Sequence, residues 1–146
     1  MGGLAHNLHE MIKKPLITLH SGASDTVAAS KTAVGDTIQN TTGEPFHLIL
    51  KYTKGTEDGL ELYISYPETK ASTVYPDECG FESIGGGCLK AVSLFRLFDA
   101  SSPTDGYKIP VNPNGAKFFK VFQKRNGAVA ANGTFELYAE INAIAR

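Results

Sequence analysis

The residues that could do chemistry in this chain are two cysteines, four histidines, two pairs of adjacent carboxylates and one triple glycine. Cys79 and Cys88 are spaced to allow a disulfide across Gly85-Gly86-Gly87. Reduced thiols are nevertheless the expectation, the default for a chain made in the cytosol. A zinc site needs more ligands than two cysteines so spaced. His6 and His9 share a terminal segment, where their spacing alone is a poor zinc signal. His47 stands alone in a strand-like run and reads as a surface or hydrogen-bonded core residue. A metal-dependent jelly-roll oxygenase would want a close histidine pair plus a carboxylate on strands, and His47 has no such partner nearby. Glu57-Asp58 and Asp77-Glu78 lie in turn-like segments and read as solvated loop charges, whereas glycosidase chemistry needs two carboxyls held across a cleft. The triple glycine lacks the Lys-Ser or Lys-Thr that would complete a phosphate loop. There is no Gly-x-Ser-x-Gly nucleophile elbow. These residues predict a protein that is not an enzyme, with no catalytic residues, no cofactor and no metal.

One cluster points to binding. Lys117, Lys120, Lys124 and Arg125 flank Phe118 and Phe122. Alternating basic and aromatic residues can hold single-stranded nucleic acid. The formal net charge of the chain is only −1. Sequence-independent nucleic-acid binding needs a surplus of Lys and Arg to displace counterions. A solvated strand face or a protein interface is therefore the expectation, with no nucleic acid as partner. No apolar run reaches the ~18 residues of a membrane-spanning helix, and no polybasic block suits a lipid surface. Residues 1–14 are too short and polar for a secretory signal and lack the Ser or Thr of a myristoylation site. The expectation is a cytoplasmic product with no membrane partner.

The elements that must position these residues are almost all strands. At 146 residues, 42% hydrophobic and 20% charged, the chain fits one domain with a core of its own. Asp58-Gly59, Asp105-Gly106, Asn114-Gly115, Asn126-Gly127 and Asn132-Gly133 mark tight turns. Between them, apolar residues alternate with a period of two. Leu16–His20 reads as a first strand, Ser21–Lys31 as a loop or weak edge strand, and Thr37–Asn40 as a short strand. Phe46, Leu48, Leu50 and Tyr52 share one face of the next strand, and Leu60, Leu62, Ile64 and Tyr66 one face of another. Those two read together as a hairpin with one face in the core. Cys88–Asp99 is apolar on both faces. It reads as a central strand covered on both sides, or one with a face in an oligomer interface; a helix is the alternative. Pro110 marks Tyr107–Val111 as an edge strand. Lys117–Arg125 and Thr134–Ile144 complete the set. In the last, Phe135, Leu137, Ala139, Ile141 and Ala143 alternate with Glu136, Tyr138, Glu140 and Asn142. The fold class predicted is an all-β, single-domain β-sandwich of jelly-roll or Greek-key type, residues 15–146, with an N-terminal arm, residues 1–14.

Two segments stand apart from the strands. Leu4, Leu8, Met11 and Ile12 fall at helical spacing before Pro15. They form either a short helix packed on its own domain or an arm that lies on a neighbouring subunit. Pro67–Gly87 is a long irregular excursion containing Asp77, Glu78 and Phe81, with one short strand near Thr73-Val74-Tyr75.

The arm, the all-β domain, the long loop before Cys88 and the final strand Thr134-Phe135-Glu136-Leu137-Tyr138-Ala139-Glu140-Ile141 together resemble the jelly-roll decoration (cement) proteins of tailed-bacteriophage heads. The resemblance implies a virion protein on the capsid exterior that is made in the host cytoplasm. It implies partnership with the major capsid protein and with itself, as a homotrimer that clamps neighbouring capsid subunits. The family supplies no catalytic residues to carry over. The interface expected on this reading comprises Leu4, Leu8, Met11, Ile12, Asp77, Glu78, Phe81, Phe118 and Phe122. A carbohydrate-binding sandwich presenting Tyr63, Tyr66, Tyr75 and Tyr107, or another phage part such as a tail or fibre component, is the competing expectation.

Overall fold

The computed structural model of the protein describes residues 16–70 and 92–141. Within them lie eight strands: β1 (Leu16–Thr26), β2 (Thr32–Gln39), β3 (Phe46–Thr53), β4 (Gly59–Ser65), β5 (Val92–Phe98), β6 (Tyr107–Val111), β7 (Phe118–Asn126) and β8 (Thr134–Glu140). They form two antiparallel four-stranded sheets, in the orders β1-β8-β3-β6 and β2-β7-β4-β5. The first strand pairs with the last, the second with the seventh, the third with the sixth and the fourth with the fifth. This nesting, folded over between two sheets, is the double Greek key of a jelly roll.

The core is the interleaved alternation of both sheets. Phe46, Leu48, Leu50 and Tyr52 of β3 and Phe135, Leu137 and Ala139 of β8 bury against Leu60, Leu62 and Ile64 of β4 and Phe119 and Val121 of β7. The rings of Phe46 and Phe119 meet at 4.6 Å between centroids and bridge the sheets. Phe95 of β5 and Tyr107 of β6, 5.6 Å apart, close one open side of the sandwich. Each fully buried side chain of this size contributes about 1.5–3 kcal/mol through removal of apolar surface from water. The opposite side closes where β2 kinks at Gly35, against the Leu19 carbonyl of β1.

Three expectations are corrected here. β3 and β4 do not form a hairpin: they lie in opposite sheets and face one another across the core. The Lys54–Asp58 loop carries the chain across the sandwich instead of reversing it within one sheet. In fact β4 and β5 are the only consecutive strands that pair among the described residues. The apolar run ending at Asp99 is neither a central covered strand nor a helix. It forms β5, an edge strand with Val92 and Phe98 exposed. Leu94, Phe95 and Leu97 turn their share of it onto the core. The loop reading of Ser21–Thr26 gives way to its edge-strand alternative, because β1 runs on to Thr26 along the margin of the first sheet. The proline-marked edge strand is found as expected, with Pro110 opposite His47 in β6.

Candidate functional site

The expected interface residues divide into two groups. Leu4, Leu8, Met11, Ile12, Asp77, Glu78 and Phe81 lie outside the described residues, as do Tyr75, Cys79 and Cys88. Phe118 and Phe122 are brought together on the outer face of the second sheet by the period of two in β7, while Phe119 and Val121 point into the core. Phe122 is only 2% exposed, yet it does not belong to the core between the sheets. The Lys120 ammonium sits 6.0 Å from its ring centroid.

That outer face is a mesh of cations and rings around one carboxylate. Glu61, in β4, projects outward because Leu60 and Leu62 project inward. It is only 3% exposed. The Tyr63 hydroxyl donates to it, and the Arg96 guanidinium pairs with it from β5. Lys124 stands opposite it in the β4–β7 register. Burial acts to raise the Glu61 carboxyl, but the bonds from Tyr63 and Arg96 outweigh it and hold the group below its ordinary value. Burial first, and then the bond to Glu61, push Tyr63 up to about 12. The Lys31 ammonium lies 4.3 Å above the Tyr63 ring. Arg96 lies 5.0 Å above Phe98, the most exposed large hydrophobic residue described, at 58%. Among the described residues, no carboxylate lies at ion-pair distance from Lys31, Lys120 or Lys124.

Among the described side chains on the outer face of the first sheet, cations meet carboxylates instead. Lys108 pairs with Glu140 at 3.2 Å. Tyr138 donates to Glu136 at 2.5 Å. Lys51 stands opposite Glu136 in the β3–β8 register, with its ammonium 6.0 Å from the Tyr138 ring. His47, half-buried on this face, is opposite Pro110 on one side and Glu140 on the other.

One end of the sandwich holds a second carboxylate cluster. Glu57 is fully buried, which corrects the reading of Glu57-Asp58 as a solvated pair; only Asp58 is exposed. The Tyr52 hydroxyl donates to Glu57 Oε2 at 2.5 Å, the Gly55 N–H to the same oxygen at 3.1 Å, and the Gly133 N–H to Oε1 at 2.9 Å. Burial acts to raise this carboxyl too, and the Tyr52 and backbone donors together lower it below its ordinary value. Tyr52 is pushed up, first by burial and then by Glu57. With both oxygens engaged, Glu57 ties the β3–β4 loop to the β7–β8 loop. Position 133 requires glycine, since a Cβ there would fall 2.6 Å from the Thr53 carbonyl oxygen and 2.8 Å from the Gly55 nitrogen. Beside this cluster, Lys51, Thr53, Ser101, Thr104, Thr134 and Glu136 line a polar groove of about 370 Å³. Ser101 and Ser102 are held there by accepting the N–H groups of Lys54 and Tyr52.

The described tyrosines of the carbohydrate reading do not share a surface. Tyr63 faces outward on the second sheet, whereas Tyr66 and Tyr107 pack against the core. Among the described residues, no three His, Cys, Asp or Glu side chains gather as a metal site. Sequence reasoning missed both buried carboxylates. The signal for Glu61 was its place between Leu60 and Leu62 with an arginine in a neighbouring strand. Glu57 had no local signal. Comparison with protein-family models, curated proteins and solved structures finds no match to this chain.

Proposed function

We propose that this chain is a non-enzymatic virion structural protein of a tailed bacteriophage. On this reading it binds the outside of the assembled capsid as a homotrimer and clamps neighbouring capsid subunits. The observation that carries the reading is the inequality of the two outer faces. One face neutralises itself through Lys108–Glu140 and Lys51 opposite Glu136. The other keeps Lys31, Lys120 and Lys124 without carboxylate partners among the described residues, around exposed Phe98. A module with one prepared face suits docking on a larger surface. A jelly roll braced by cross-sheet ring contacts is stiff enough to transmit load. Many symmetric copies turn modest single contacts into large total stabilisation of a shell. The arm, Leu4–Ile12, and the excursion, Asp77–Gly87, are the further contacts of this reading.

Quantitative mass spectrometry of density-purified particles tests it. The expected result is a fixed, high copy ratio to the major shell protein, with weaker capsid binding and an intact fold after deletion of residues 1–14. Absence from particles would overturn the reading. The hydroxyl-lined groove at Thr53, Ser101, Thr104 and Thr134 favours a second reading, a carbohydrate-binding module, which a glycan array separates from the first.

A further inference from the structure

We infer that the outer face of the β2-β7-β4-β5 sheet docks on a carboxylate-rich protein surface, with Lys31, Lys120, Lys124 and Arg96 as the cations that read it. The inference rests on the docking reading above and names the chemistry of the partner.

The chain as a whole carries a net charge of −1, so the grouping of Lys31, Lys120, Lys124 and Arg96 around Glu61 is a local reversal of sign. Glu61 is committed to Tyr63 and Arg96 and is covered. It therefore offers an approaching partner little negative charge. The three lysines retain free donors for carboxylates, and lysine in this setting acts as a mobile point charge. Complementary charge of this kind sets encounter rate and register more than bulk affinity. Phe98 at the β5 edge adds an exposed apolar anchor beside the cations.

The same face is a poor platform for single-stranded nucleic acid. Bases bind such surfaces by stacking on open aromatic faces. Here three of the rings already carry a cation, Tyr63 from Lys31, Phe98 from Arg96 and Phe122 from Lys120, and the fourth, Phe118, is half-buried. Phe122 is buried besides. What remains available is charge presented on a flat sheet, and that matches an acidic protein surface.

The test measures binding of the full chain to poly-L-glutamate and to oligo(dT) across a salt series. The expected result is poly-glutamate binding at about 0.02 M salt that weakens steeply as salt rises, and binds more tightly than oligo(dT). The double reversal K120E/K124E should weaken poly-glutamate binding by about tenfold or more. The control reversal K51E/K108E, of equal charge on the other face, should change it less than about twofold. The milder K120Q/K124Q keeps the test valid if the reversal disturbs folding, and should weaken binding in the same direction. Tighter binding to oligo(dT), no poly-glutamate binding at low salt, or equal loss from both reversals would each overturn the inference. A second arm uses phage heads stripped of this protein. Equal recruitment of wild type and K120E/K124E to heads would sink this face as the docking surface and leave the capsid reading standing. Poly-glutamate binding without recruitment to heads would sink the capsid reading and leave this face standing.

Discussion

The tripeptide Glu-Leu-Tyr occurs twice in this protein, at residues 61–63 in β4 and 136–138 in β8. Each copy sits in an inner strand of its sheet. In each, the leucine enters the core while the glutamate and tyrosine face outward and bond to one another. Their surroundings then diverge. Glu61 is covered and paired with Arg96, while Glu136 stays half-exposed at the margin of a polar groove. The local sequence is the same, so the difference comes from the neighbouring strands. β5 brings Arg96 and Phe98 beside Glu61, and β7 brings Phe122 and Lys124. Beside Glu136, β3 brings only Lys51. A carboxylate on a sheet surface is structural or solvated according to its cross-strand company, which lies far away in sequence.

Glu57 is the extreme case: among the described residues no cation pairs with it, and it is held by Tyr52 and two backbone N–H groups. Glu57→Ala leaves those buried donors without an acceptor and should destabilise the fold by about 3 kcal/mol in urea unfolding. Glu61→Ala should cost about 2 kcal/mol, less because Arg96 is half-exposed and can rehydrate. A loss for Glu61→Ala no larger than that for Glu136→Ala would break the comparison.

Titration gives a second handle on the same pair. The Glu61 carboxyl is lowered in the fold from 4.5, so its contribution is present above that value and fades as pH falls through the folded value. Tyr63 behaves in the opposite sense, since its folded value of about 12 lies above the ordinary 10.0. Its contribution is whole below pH 10.0 and is lost as pH climbs through about 12. Phenolate absorbance should therefore show a late-titrating tyrosine that reverts toward its ordinary value in Glu61→Ala. The smallest effect belongs to Glu136→Ala, expected within about 0.5 kcal/mol of wild type because its environment is partly solvated.

Much of the fold could be read along the chain. The alternation in Phe46–Tyr52, Leu60–Ile64 and Phe135–Ile141 assigned strands and inward faces as they are found. Lys117–Arg125 is likewise found as a strand, β7, with Phe119 and Val121 inward and Phe118 and Phe122 on the other face. The errors concern who lies beside whom. The supposed β3–β4 hairpin failed because an Asp-Gly turn permits a reversal without choosing the sheet that receives the returning strand. Asn114-Gly115 makes the same point. Both residues take positive φ, 49° and 85°, the signature of a tight hairpin turn, yet the turn joins β6 to β7 across the two sheets. The apolar run into β5 was placed centrally because hydrophobicity on two faces looks like double cover. At an edge, one face instead carries an exposed Phe98 under Arg96. The basic and aromatic cluster of β7 was visible, but its companions Lys31 just before β2, Glu61 and Tyr63 on β4 and Arg96 on β5 were not.

What the sequence determined by itself is therefore the class: strands, their inward faces, and one core for one sandwich. Those follow from period-two burial, a property of consecutive residues. The tertiary structure alone decided the jelly-roll nesting, the edges, the buried states of Glu57 and Glu61, and the assembly of a cationic face from four strands. Each of these depends on contacts between residues distant in the chain, where the energy of a charge or an exposed ring is set by the neighbour that folding brings to it.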